Sequence, residues 1–365
     1  MKTKIIPFIV LLVFMSSSKS WAQSSQNTDN VVLILIDGYR WQELFHGANL
    51  KLLTNSKYNS MDSVQRLKQF WAEDLETRRE KLMPFTWNYI VKHGQIYGNR
   101  TLGSKVNVKN PYWYSYPGRA EVLSGFVDEK INSNDYGINT NPNVLEFLNK
   151  QDDYQGKVVT FACWGATGRC LNKPNSDMLI NVPWENIEGD NLTDAEVLAN
   201  EIQHFAPKTF GDVERLDFEV YALAKSYIKA QHPKVIYLDF GDTDEYAHHG
   251  EYDHYLLDIQ NLDAMIQNLW EMMQKDPFYE GKTTLMIVPD HGRGLEEQWT
   301  SHGAWCPHSD ETWMMVMGPD TKPMGEIQNQ QQIYENQFAA TIAKLLGFTY
   351  TARGRTIGAP IKSAL

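Results

Sequence analysis

Three runs of the chain, residues 31–36, 235–240 and 285–288, are built almost wholly of Val, Ile, Leu, Met, Tyr and Phe and show no polar alternation. Short runs of that kind read as strands buried on both faces, the strand type of parallel sheets. A further buried strand fits 157–162, an extended stretch fits 96–102, and a late strand fits 313–318. Helical segments lie between them: a long polar helix over 61–81, a second over 84–92 closed by His93-Gly94, and others over 144–149, 195–204 and 213–230. Over 252–274 the residues Leu256, Ile259, Leu262, Ile266 and Leu269 recur every three or four positions, which predicts a helix with one apolar face. A final helix over 334–346 ends at Gly347. Strands alternating with helices predict an α/β fold, a mainly parallel central sheet flanked by helices. Two polar stretches, 45–83 and 164–212, interrupt the alternation and are expected as insertions at the sheet edge, where specificity resides.

The first residues do not fit that scheme. Lys2 and Lys4 precede an apolar run over 5–15, then serines and the small-x-small ending Ser20-Trp21-Ala22. This is the pattern of a signal peptide cleaved after Ala22. The expectation is a leader over 1–22 and a single hydrolase domain over 23–365, exported to the periplasm or secreted. The leader's apolar run is shorter than the roughly 20 residues a bilayer span needs, and no lipid-accepting Cys follows it, so no stable membrane anchor is expected.

Composition narrows the partners. A net charge of −11 opposes binding to a phosphate backbone, so a nucleic-acid polymer is not expected. Of three cysteines, Cys163 and Cys170 lie close enough in sequence to bond across a short loop in an exported chain, leaving Cys306 free; a Cys-only zinc site is not available. Eleven Trp and eighteen Tyr suit both a large core and an aromatic-walled cleft. No pattern fixes an oligomeric state.

The chemistry gathers where the apolar strands end. The first delivers Asp37-Gly38, the second leads to Asp244 and His248, and the third delivers Asp290-His291-Gly292, with His302 ten residues further on. In an open α/β sheet ligands bind outside the carboxyl ends of the strands, so these side chains converge on one rim. Imidazole with carboxylate is the ligand set of zinc and related metals, whereas oxygen alone suits Ca²⁺ or Mg²⁺. Three His among the ligands point to zinc, with manganese as the alternative. Asp-His-Gly alone is no more than a polar turn, and a lone His302 no more than a solvated ring. The order of the whole series carries the reading: strand-Asp-Gly, a Ser in a Pro-Gly turn, Asp-x-x-x-His, strand-Asp-His-Gly, Ser-His-Gly.

In that order the chain resembles the alkaline phosphatase superfamily, which includes nucleotide pyrophosphatase/phosphodiesterases, cofactor-independent phosphoglycerate mutases and sulfatases. The segment from Met83-Pro84 to His93-Gly94 resembles the superfamily's Pro-containing helix, and that from Pro117-Gly118 to Ser124-Gly125 its nucleophile helix. The resemblance implies one metal on Asp244, His248 and His302 and a second on Asp37, Asp290 and His291, shared with the nucleophile oxygen. His249 is the rival of His248, and the family's Asp-to-His spacing favours His248. The nucleophile position falls on Ser115, two residues before Pro117. A serine hydroxyl needs a base or a cation to react, and a metal supplies that. The implied reaction is attack by Ser115 on a small-molecule phosphate ester through a covalent phosphoserine, the helix start adding backbone N–H groups that face the anion. Arg119, one turn on, is expected at a phosphoryl oxygen or in a surface salt bridge. Tyr39, Asn110 and Trp113 are expected at the substrate by proximity, and Asp239 and Asp242 in support of the ligands.

Two other readings compete. Ser115-x-Pro117-x-Arg119 is close to the sulfatase signature, in which the Ser becomes formylglycine; against it, His248 and His302 have no role in an oxygen-rich calcium site. A non-catalytic binding protein would keep the fold and lose ligands, but the series is intact. Between monoester and diester the sequence leaves the choice open. The short His291–His302 interval resembles the mutases, yet no separate phosphotransfer block lies between Ser115 and Asp244.

Overall fold

In the computed structural model, which describes residues 27–365, the apolar runs form the middle of an eight-stranded sheet. The leader expected over 1–22 lies outside the described residues. In chain order the strands are β1 (Asn30–Ile36), β2 (Gly94–Tyr97), β3 (Ser104–Asn107), β4 (Val158–Ala162), β5 (Leu179–Asn181), β6 (Val235–Phe240), β7 (Thr283–Val288), β8 (Glu311–Thr312), β9 (Met314–Met317), β10 (Gly325–Glu326) and β11 (Gln331–Tyr334). The large sheet has the order β10-β2-β9-β7-β1-β6-β4-β5, and only β9 runs against its neighbours. A small sheet, β11-β3-β8, stands beside it.

The absence of alternation has a direct cause. Val32, Ile34 and Ile36 face one apolar cluster while Val31, Leu33 and Leu35 face the other, so both sides of β1 are buried. Each such side chain contributes about 1.5–3 kcal/mol by leaving water. The helices that cover the faces are α1 (Trp41–His46), α2 (Leu50–Thr54), α3 (Ser63–Phe70), α4 (Leu75–Leu82), α5 (Val91–His93), α6 (Ser115–Ser124), α7 (Val144–Asn149), α8 (Gly165–Cys170), α9 (Asp194–Phe205), α10 (Asp217–Gln231), α11 (Asp242–His248), α12 (Tyr252–Met273) and α13 (Phe338–Leu345). The expected stripe of α12 is buried from Leu256 to Leu269 against the first cluster, and α6, α7 and α13 cover the second.

Several expected bounds shift for local reasons. The helix expected over 61–81 is two helices, α3 and α4. Each has its own cap: Asp62 accepts from the N–H of Val64 and Gln65, and Asp74 from that of Thr77. The segment expected as a helix over 84–92 opens as a π-helical turn, Thr86–Ile90, whose first donors, the N–H of Phe85 and Thr86, are taken by Asp263 at 2.7 and 2.9 Å. The extended reading of 96–102 ends early, because Asn99 caps a 3-10 turn at Arg100–Leu102. Helix α10 begins at Asp217 rather than at 213, because Arg215 first donates its N–H to the Cys163 carbonyl at 2.9 Å, keeping that stretch alongside β4. The insertion over 45–83 packs on α12, where Asp253 receives the N–H groups of Ser60 and Met61 at 2.6 Å each. That over 164–212 supplies α8, α9 and the edge strand β5.

The Cys163–Cys170 bond that the sequence left open is not made: all three cysteines are free and buried. Cys163 belongs to one face of the sheet and Cys170 to the other, which separates two residues close in sequence.

Candidate metal centre

Strand register sets the site. Ile36 of β1 stands opposite Phe240 of β6, and Leu35 opposite Val288 of β7, so the three strands end together. Asp37, the start of α11, and Asp290 therefore leave the sheet at one rim. Gly38 makes the turn after Asp37 at φ +59°, and a Cβ there would stand 2.3 Å from Asp244 Oδ1. Only glycine admits both the backbone and the carboxylate.

Ser115 arrives by a turn that its own sequence organises. Asn110 Oδ1 accepts from the N–H of Tyr112 at 3.0 Å and of Trp113 at 3.1 Å, and Asn110 is held by the buried Glu121 carboxylate. Helix α6 then passes so close to β7's exit that a Cβ on Gly118 would lie 2.2 Å from the Asp290 carbonyl oxygen. The outcome is Ser115 Oγ at 3.2 Å from His291 Nε2 and 3.5 Å from Asp37 Oδ1.

Two clusters share Asp244: Asp244, His248 and His302 in one, Asp37, Asp244 and His291 in the other. His248 Nε2 lies 3.0 Å from Asp244 Oδ2 and 3.1 Å from His302 Nε2, and the His291 and His302 rings stack at 3.8 Å. Second partners fix two of the tautomers. His302 Nδ1 meets the Trp113 carbonyl at 3.0 Å and His291 Nδ1 meets the Gly292 carbonyl at 2.9 Å. A carbonyl only accepts, so both Nδ1 atoms carry hydrogen and both Nε2 atoms are left facing the cluster, the orientation that metal ligation requires. The donor set of imidazole nitrogens and carboxylate oxygens fits zinc or manganese. His249 is exposed, with its Nδ1 on the Glu245 carbonyl at 2.8 Å, outside both clusters.

Charge around the clusters is arranged by two buried arginines. Arg119 sits among Asp37 Oδ2 at 2.8 Å, Asp239 Oδ1 at 2.9 Å and the Asp290 carboxylate, with the Trp164 ring 5.1 Å away. It is 0% exposed, so the salt bridges it makes are buried rather than at the surface, and its guanidinium is taken up by three carboxylates. Arg293 donates to the Trp299 carbonyl at 2.7 Å and the Thr300 carbonyl at 2.8 Å and pairs with Asp244. It thereby ties the loop bearing His302 to the Asp244 carboxylate. Trp299 anchors the same loop, fully buried against Tyr58, Tyr252 and Tyr255.

These placements set the protonation of the ion-free centre. Burial pushes Asp37 up, but the Arg119 guanidinium together with the hydrogen bond and charge of His291 outweighs it, and the carboxyl ends below its usual range. Asp290 is raised to about 7 by burial and by the facing Asp37. Burial opposes charge on His291, yet Asp290 and Asp37 raise it to about 9; His302 is brought down to about 3 by burial and by His291. Positive charge is thus favoured beside Ser115. Glu214, at the rim, is lifted to about 10 by burial and by the neighbouring Glu245 and Asp37.

Of the expected residues, Asp37, Ser115, Asp244, His248, His291 and His302 meet. Asp290 stands 3.8 Å from His291 Nε2, with its carboxylate on Arg119 and the Gly38 N–H. Tyr39 faces the core, its hydroxyl on Met83 Sδ at 2.7 Å and its ring against Trp313, because the Gly38 turn points it away from the rim. Asn110 is buried in the turn before Ser115 rather than open to a substrate. Trp113 is half-buried beside His302 and stays at the opening. The helix start offers less than expected: the Tyr116 N–H goes to Asn134 Oδ1 at 2.9 Å, Pro117 has none, and that of Gly118 goes to the Tyr114 carbonyl. Arg293, Trp299 and Glu214 were missed. Arg293 directly follows the Asp-His-Gly turn, but nothing in one sequence marks it apart from a surface arginine.

Comparison with known proteins bears on the fold that carries this site. The sequence profile of the Metalloenzyme superfamily matches residues 212–349. No curated protein matches the chain by sequence. Among solved structures, the wild-type alkaline phosphatase PafA superposes with a TM-score of 0.61 at 10% identity, covering 93% of this chain and 99% of that one. The phosphonate monoester hydrolase of Agrobacterium radiobacter gives 0.55 at 11% identity, over 92% and 76% of the two chains. A 2-O GAG sulfatase gives 0.50 at 13% identity, over 91% and 73%. The α/β fold expected from the sequence, with its likeness to alkaline phosphatase, is borne out, and the Metalloenzyme match falls on the stretch that bears Asp244, His248, Asp290, His291 and His302.

Proposed function

We propose that the protein is an exported phosphoric ester hydrolase, a phosphomonoesterase or phosphodiesterase of one domain over 23–365, in which Ser115 attacks small-molecule phosphate esters. The observation that carries this reading is the place of Ser115 Oγ, 3.2 Å from His291 Nε2 and beside Asp37, next to a cluster holding His248 and His302. Two divalent ions, zinc by the nitrogen donors with manganese as the alternative, would be held by Asp244, His248 and His302 and by Asp37, His291, Asp290 and Ser115. When bound they lower the cost of an ionised serine and offset charge on the phosphoryl oxygens.

The chain's own part is positioning. The turn capped by Asn110 fixes Ser115 at the start of α6, and its Oγ attacks phosphorus while the bond to the leaving alcohol breaks. Water then cleaves the phosphoserine and restores the hydroxyl. Arg119 stays out of reach of substrate and keeps three crowded carboxylates tolerable. His248, 40% exposed in its side chain, marks the open side from which an ester enters, with Trp113 at the edge. No helix among the described residues is long and apolar enough to cross a membrane.

Phosphate is favoured over sulfate by the nitrogen donors of His248, His291 and His302, since an oxygen-rich calcium site would use none of them. The test is turnover of three matched aryl esters, a phosphate monoester, a phosphate diester and a sulfate, by zinc-loaded wild type and Ser115→Ala. Serine-dependent turnover of either phosphate ester supports the reading and ranks the two. Preference for sulfate would transfer it to a sulfatase with Ser115 as formylglycine precursor, and inactivity at full metal occupancy to a binding protein.

A further inference from the structure

Behind α11, on the side away from the serine, three more carboxylates meet. Asp217 opens α10, Asp242 opens α11 and Asp258 comes from α12, and one oxygen of each lies within 4.8 Å of the others. Two are partly satisfied by backbone: Asp217 accepts from the N–H of Gly241 at 2.7 Å and of Asp242 at 3.3 Å, and Asp242 from that of Asp217 at 3.1 Å. Asp258 is not. It is 6% exposed, and its Oδ2 is buried without a hydrogen-bond partner. No Lys, Arg or His among the described residues pairs with any of the three; His254, the basic group nearest in the adjoining cleft, is committed to Glu251 at 2.8 Å. Other acids stand close by, Glu219 and Glu245 among them.

Three buried carboxylates without a counter-charge are costly, and such groups are ordinarily paired or coordinate a metal. Here the pairing is missing and the access is present. Asp242 and Asp258 form part of the wall of a cleft of about 630 Å³ that opens to solvent beside Tyr246, so water can complete a coordination shell. With oxygen donors alone and several carboxylates, the set suits a calcium ion with its six to eight oxygen ligands better than zinc, or than Mg²⁺, which uses one or two carboxylates.

We propose that Asp217, Asp242 and Asp258 bind a Ca²⁺ ion, separate from the catalytic centre, that pins α10 and α12 to the helix bearing Asp244 and His248. The ion is a fastener for α11 and takes no part in the reaction.

The test uses the full-length zinc-loaded protein. After dialysis against millimolar Ca²⁺ and removal of free ion, wild type holds one calcium per chain in addition to its zinc, and Asp258→Asn holds none while its zinc content is unchanged. Adding Ca²⁺ raises the melting temperature of wild type by about 5 °C and leaves that of Asp258→Asn in place. Absence of calcium from wild type overturns the proposal even if the variant fails to fold, and so does retention of calcium by Asp258→Asn. A wild type that takes up no calcium but gains stability on acidification would show protons, not a cation, to be what the cluster holds.

Discussion

Replacing Arg119 by methionine removes the one cation that Asp37, Asp239 and Asp290 share and keeps most of the side-chain volume. Each ion pair, at about 4 Å and an effective dielectric of about 20, has a gross attraction of ~4 kcal/mol. Desolvation cancels much of that in the intact cluster, so the measured quantity is the cost of leaving buried acids without a partner. Truncating one member of a buried pair costs about 3–5 kcal/mol, and because three carboxylates lose the same partner we expect the upper half of that range at pH 8. That leaves a folded protein if the total lies in the usual span of roughly 5–15 kcal/mol. The loss depends on pH with a definite sign. Without Arg119 all three carboxyls rise further, Asp37 from below its usual range, Asp290 from about 7 and Asp239 from a value already raised by burial, so the folded variant binds more of the protons that the unfolded chain releases, and its stability falls more steeply than that of wild type as pH rises. Urea unfolding of wild type and Arg119→Met, with chelator present, at pH 5 and pH 8 measures this: the deficit is larger at pH 8. A loss below about 1 kcal/mol at pH 8, or one equal at both values, would refute the ion-cluster reasoning.

Three further outcomes follow from the geometry. Gly38→Ala combines a left-handed backbone with a Cβ 2.3 Å from Asp244 Oδ1, so zinc affinity, read by competition with a chelating dye, falls roughly 10–100-fold; unchanged affinity would mean Asp244 is free to move. Arg293→Gln releases the Trp299–Thr300 loop from Asp244 and lowers zinc affinity by about the same factor, whereas the exposed His249→Gln leaves it as in wild type. Asp263, raised to about 6 by burial, binds its proton more tightly folded than unfolded, so its stabilisation is full below pH 4 and is lost as pH climbs through 6. The rise from the ordinary 3.8 to about 6 corresponds to at most roughly 3 kcal/mol, and that slope disappears from the pH profile of unfolding in Asp263→Asn.

Strand ends were legible because burial on both faces leaves an unbroken apolar run, and the chemistry must follow it at the rim. Asp37, Asp244, His248, His291 and His302 were readable for that reason, and Ser115 through its Pro-Gly turn. Side-chain direction was not. Tyr39 follows two residues after Asp37 but is turned inward by Gly38, and Arg119 is one helical turn from Ser115 but is drawn under it by three acids from three strands. Those acids lie over 250 residues apart in sequence, from Asp37 to Asp290, so no local window contains the attraction. The break between α3 and α4 was readable in principle, since Asp74 followed three residues later by Thr77 is a helix-cap pattern within a stretch that otherwise looks continuous.

The central claim is that Ser115 becomes covalently phosphorylated. Acid quenching of the zinc-loaded enzyme during turnover of an aryl phosphate ester, then peptide mass analysis, tests it directly. The account predicts a phosphoryl group on the peptide bearing Ser115, and none in Ser115→Ala. Turnover with the group on another residue, or a Ser115 peptide lighter by the two hydrogens lost on conversion to formylglycine, would contradict it.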